Sequence, residues 1–114
     1  MNGMNTMIKK TILVLLLAVL PFSLAAKGDA KSGQQKSAVC EACHGRDGKS
    51  VDPSYPNLAG QHESYLTKAL GDYRSGRRSN PVMAGMAANL SDQDIMDLAA
   101  WYASQQGLKD ISIK

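Results

Sequence analysis

Apolar residues fall into separate blocks along the chain, and each block has its own spacing. The first is uninterrupted and uncharged, TILVLLLAVL over 11–20. The next stretch carries Ala30, Gly33 and Ser37 at helical spacing behind Asp29, a good N-cap, and predicts a helix over 29–39 with one face of small residues. A third block places Tyr65, Leu66, Ala69, Leu70 and Tyr73 on one stripe and predicts a helix over 62–74. In the last block Ile95, Leu98, Ala99 and Tyr102 repeat with the helical period. Ser91 with Asp94 forms a capping box before it, Leu90 and Ile95 form a staple, and Gly107 is the expected stop. The stretches 45–60 and 75–81 are broken by glycine and proline and read as loops, and Met83 and Met86 are expected on the loop before the last helix. No run alternates like a strand, so the chain reads as all-α.

The uncharged block needs separate treatment. Lys9 and Lys10 precede it, Pro21 ends it, and Ser23-Leu24-Ala25 supplies small residues for cleavage. This is the layout of a secretory signal peptide, and the block falls short of the roughly 20 residues of a membrane span. The expected division is a signal peptide at 1–25 and one domain at 26–114, with no stable membrane insertion after cleavage. Removing the two lysines leaves eleven basic against ten acidic residues, a net of +1 in place of the full chain's +3. That balance gives no electrostatic reason to bind nucleic acid or an acidic membrane. A domain of this size has a modest core and calls for a staple.

The chain has two cysteines, Cys40 and Cys43, and His44 follows at once. CEACH is the C-x-x-C-H pattern of covalent haem attachment. Two thiols on one turn of chain reach the two vinyl groups of a haem, and the next residue lies where an imidazole nitrogen can bind iron. A redox-active C-x-x-C is expected at a helix start after a strand, and none is in view. A zinc site from Cys40, Cys43, His44 and His62 would need an adjacent Cys and His in one closed tetrahedron, which is awkward.

Three segments extend the pattern: GDAKSGQQKSAVCEACHGRDGKS, YPNLAGQHESYLTKALGDYRSGRR and MAGMAANLSDQDIMDLAAWYASQ. In this order they resemble the class I c-type cytochromes, and in particular the short domains of bacterial periplasmic di-haem cytochromes c. The resemblance implies a class I cytochrome c fold, with helices and loops around one covalent haem c and the first and last helices crossed. Trp101 and Tyr102 offer bulk for the small face of the first helix. The Met-x-Gly-Met order before Leu-Ser-Asp implies that Met83 is the second axial ligand of the iron beside His44, with Met86 the alternative. Met96 sits within the last helix and reads as core, and His62 matches no ligand position. The resemblance also implies that Pro56, twelve residues after His44, offers its carbonyl to the iron-bound imidazole.

Other candidates stay open between roles. Arg74, Arg77 and Arg78 read as partners of a haem propionate, as a docking face, or as a solvated helix end. Tyr65, Tyr73 and Trp101 read as core and as pocket lining. The implied function is a periplasmic one-electron carrier and not an enzyme, because the cofactor carries the chemistry. Implied partners are a membrane reductase and a terminal oxidase or reductase. The alternatives are a haem subunit of a periplasmic dehydrogenase, or a ligand-sensing haem with an open iron position.

Overall fold

The computed structural model describes residues 26–107. The expected signal peptide, its expected cleavage boundary and residues 108–114 lie outside the described residues. Five helices follow in order: α1 (Ala30–Lys36), α2 (Ala38–His44), α3 (Glu63–Ser75), α4 (Pro81–Ala87) and α5 (Asp92–Ala103). Strands are absent among the described residues. Both α1 and α3 pack on α5, and α4 packs on α3.

The single first helix expected over 29–39 is instead two. Asp29 caps α1, its carboxylate accepting from the Ser32 amide at 2.6 Å. At Ser37 the chain tightens: its hydroxyl donates to the Gln34 carbonyl at 2.8 Å, and its amide reaches the same oxygen at 3.3 Å. A serine side chain that claims a backbone carbonyl competes with the helical ladder. The helix restarts as α2 and carries Cys40, Cys43 and His44.

The small face of α1 meets α5 at backbone distance. A methyl group on Gly33 would run into the Asp97 carbonyl oxygen and come within 2.8 Å of the Trp101 Cβ. One on Gly28 would strike the Met96 carbonyl. Trp101 therefore lies against the glycine, as expected, whereas Tyr102 turns into the core with Leu66 and Ala99. Cys40, Leu58 and Trp101 pack against that trio.

Asp97 locks the crossing. It is 3 % exposed. Its carboxylate accepts from the Asp29 amide at 2.8 Å, from Lys36 Nζ at 2.6 Å and from Gln93 Nε2 at 2.8 Å. These donors hold the carboxyl below its ordinary range, Lys36 foremost.

The capping box of α5 forms as expected, with Ser91 accepting from the Asp94 amide and Asp94 accepting from the Ser91 amide. Ile95, Leu98, Ala99 and Tyr102 are all buried. The stripe on α3 is only partly covered by protein: Leu66 is buried and Tyr65 is 48 % exposed. Gly107 does not stop α5. The helix ends at Ala103, and Gly107 lies beyond it against Ala59, where a Cβ would come within 2.6 Å of the Ala59 Cβ.

Met83 and Met86 do not lie on a loop; they sit in α4. Asn80 caps that helix by accepting from the Val82 and Met83 amides at 3.0 and 3.1 Å, and Pro81 takes the first helical position. Proline is suited there, since no carbonyl waits for its missing N–H.

Candidate cofactor site

His44 is the last residue of α2 and is 6 % exposed. Its Nδ1 lies 2.8 Å from the carbonyl oxygen of Pro56. A carbonyl only accepts, so Nδ1 carries the hydrogen and Nε2 keeps its lone pair for a metal. The loop that returns Pro56 is stapled at Ser50. The Ser50 hydroxyl donates to the Cys43 carbonyl at 3.1 Å and the Ser50 amide donates to Asn57 Oδ1 at 2.8 Å. Gly45 starts this return at φ 79°, which suits glycine. The loop end is fixed on the Gly48 carbonyl by the Leu58 amide at 2.8 Å, and on α5 by the Gly60 amide, which donates to Tyr102 O at 2.9 Å. Tyr55 meets the imidazole edge-on, with ring centroids 6.5 Å apart.

Cys40 and Cys43 are free thiols, both half-buried. At i and i+3 on α2 they point to one side of the helix. Burial pushes the Cys40 thiol up, and Tyr102 works against that shift. Tyr102 is itself pushed above its ordinary range by burial. Among the described residues no three of His, Cys, Asp and Glu come together to hold a bare metal ion, so the zinc alternative finds no cage. His62 caps the start of α3 with extended backbone and is exposed.

Met83 is half-buried and Met86 is 51 % exposed. Met96 is only half-buried on α5 and stands outside the buried core, where it was expected. The three arginines separate. Arg74 donates to the Leu90 carbonyl at 2.8 Å and to Asp92 at 2.6 Å, tying α3 to the start of α5. Arg77 Nε donates to Asp72 at 2.8 Å, beside Lys68 on the same carboxylate. Arg78 lies over the Tyr73 ring, 4.9 Å from its centroid, and donates to the Tyr65 hydroxyl at 3.3 Å.

The family model for cytochrome c matches residues 30–106. The chain belongs to the cytochrome c family. Among its relatives is a cytochrome c4 of Pseudomonas aeruginosa, 51 % identical over 98 residues that cover 85 % of this chain and 49 % of the relative. A cytochrome c-554(548) of Halomonas halodenitrificans is 48 % identical over 82 residues, 69 % of this chain and 99 % of the relative. The crystal structure of reduced recombinant cytochrome c4 from Pseudomonas stutzeri superimposes with a TM-score of 0.68 at 49 % identity, over 71 % of this chain and 47 % of that one. The chain thus spans about half the length of the cytochrome c4 relatives it matches. The fold is that of a class I cytochrome c, and the cofactor is a covalently bound haem c.

The residues present suit that group. Two thiols project from one helical turn, and the imidazole beside them has Nδ1 satisfied and Nε2 available. On α5, Trp101 Nε1 and Tyr102 Oη are buried and meet no nitrogen or oxygen partner at hydrogen-bond geometry among the described residues. Sequence reasoning missed Asp97 and Asp72, the buried carboxylates that fix α1 and the arginine segment. Lys36 at 61 residues' separation from Asp97 leaves no local signal, but Lys68 and Asp72 at i and i+4 are a helix pair that the spacing alone announces.

Proposed function

We propose that this cytochrome c is a periplasmic one-electron carrier that holds one haem c through Cys40 and Cys43, with His44 and Met83 as axial ligands. The observation that carries this reading is the 2.8 Å contact between His44 Nδ1 and Pro56 O. A buried histidine whose outer nitrogen donates to a backbone carbonyl is oriented for metal binding through the other nitrogen.

When bound, the haem supplies one-electron chemistry by cycling its iron between ferrous and ferric. The chain's own residues bind, orient and shield. The Cys40 and Cys43 sulfurs anchor the group to α2. The Ser50 staple keeps Pro56 against His44. Met83, on the more buried side of α4 than Met86, offers a thioether, and a methionine opposite histidine raises the reduction potential. No side chain has to exchange protons with a substrate. Partners are redox proteins that dock briefly through small interfaces. The leader at 11–20 supports export, where the cytochrome meets periplasmic donors and acceptors.

The test is denaturing electrophoresis with haem staining, paired with voltammetry of the exported protein. The expected result is a haem-positive band and a reversible one-electron wave. Cys40→Ala/Cys43→Ala is expected to abolish the staining. Haem that leaves on denaturation of the unsubstituted chain would overturn the reading.

A further inference from the structure

Of the three arginines ahead of α4, two are committed to protein carboxylates. Arg74 pairs with Asp92, and Arg77 pairs with Asp72, whose other oxygen is taken by Lys68. Among the described residues Arg78 has no carboxylate partner. It is nevertheless held in place at three points. Its amide donates to the Asp72 carbonyl at 3.1 Å, its guanidinium lies over Tyr73, and one Nη donates to Tyr65. Its Nε and second Nη make no hydrogen bond among the described residues. A guanidinium stacked on an aromatic ring, with a free edge of N–H donors, is preorganised for a planar anion. Tyr65 and Tyr73 belong to the stripe of α3 that protein only partly covers, and Arg78 stands five residues before Met83.

We infer that Arg78 is a carboxylate-binding residue for the cofactor: its free N–H edge takes a haem propionate, and its charge favours the ferrous state. This rests on the proposed placement of the haem between His44 and Met83. It singles out Arg78 from Arg74 and Arg77, whose guanidinium groups are already hydrogen-bonded to protein carboxylates. A positive charge beside the haem stabilises the less positive iron. It also keeps the propionate ionised to lower pH, so removing it moves the pH-dependent fall in potential upward.

The test is spectroelectrochemical titration of the exported holoprotein across pH, comparing Arg78→Gln, Arg78→Lys and Arg77→Gln. Arg78→Gln is expected to shift the ferric-to-ferrous ratio at fixed poise roughly fivefold toward ferric, about 40 mV at the one-electron conversion, and to move the pH transition upward. Arg78→Lys, which keeps the charge, is expected to restore most of the ratio. Arg77→Gln removes an equal charge from the same segment and is expected to shift the ratio far less. Equal shifts in Arg78→Gln and Arg77→Gln, or none in either, would overturn the inference. So would an unchanged potential with altered salt dependence of electron exchange, which would assign the free edge to a carboxylate of a docking partner. The far-red methionine–iron band of the unsubstituted protein separates the two layers. Its presence with no Arg78 effect sinks this inference alone, and its absence sinks the ligand assignment and with it the placement on which Arg78 rests.

Discussion

The imidazole of His44 and the carbonyl of Pro56 are joined by a 2.8 Å hydrogen bond across twelve residues of chain. With the Ser50–Cys43 hydrogen bond it links α2 to the loop that returns Pro56, and it leaves Nε2 as the free ring nitrogen. Pro56→Ala keeps the acceptor and frees the backbone, so the ligand set is expected to stay intact. Stability is expected to fall by about 0.4–1 kcal/mol through the unfolded chain's added freedom. Thermal melts with the visible spectrum recorded alongside check both halves.

The crossing of α1 and α5 depends on the absence of a side chain at Gly33. Gly33→Ala places a methyl group against the Asp97 carbonyl and the Trp101 Cβ, both held by α5. Chemical denaturation is expected to show a loss of roughly 1–3 kcal/mol. Gly71→Ala, in the interior of α3 where the added Cβ meets nothing beyond its own helix backbone within 4 Å among the described residues, is expected to be neutral or to stabilise by up to about 1 kcal/mol.

These two sites also show what was legible in the chain. The capping box at Ser91 and Asp94 is a local pattern and forms as expected, and the proposed attachment triplet is equally local, all three residues falling on α2. The small face around Gly33 was legible as a face, and its partner followed from the resemblance. The break at Ser37 was not legible, because serine is tolerated within helices and only its burial directs the hydroxyl to Gln34. Asn80-Pro81 is a helix-start signal, but the glycine inside a seven-residue segment obscured α4. Asp97 reads as one more polar residue on a helix until α1 lies across it.

Acid should weaken that crossing. Hydrogen bonding to Lys36 first, with the Ser91 cap, brings the Asp94 carboxyl down to about 2, and Lys36 also holds Asp97 low. Carboxyls depressed in the folded state stabilise it above the unfolded value near 3.9. That contribution is lost as the pH falls through the folded values. Unfolding free energy is therefore expected to decline from about pH 4 to about pH 2, and Lys36→Met to flatten the decline. A steeper acid limb in Lys36→Met would contradict the assignment.

The protein core by itself is small. Leu66, Ile95, Leu98 and Tyr102 are the large apolar side chains buried among the described residues, and alanines make up the rest. Without the attached group, Cys40→Ala/Cys43→Ala is expected to lose most cooperative unfolding and much of its helical circular dichroism at neutral pH. A sharp two-state melt of the haem-free chain would show that the helices do not need the cofactor.

The ligand pair His44 and Met83 is the centre of the account, and the visible spectrum of the ferric protein tests it most directly. The account predicts a weak far-red methionine–iron band that disappears in Met83→Ala and persists in Met86→Ala. A band that survives Met83→Ala, or that is absent from the unsubstituted protein, would contradict it.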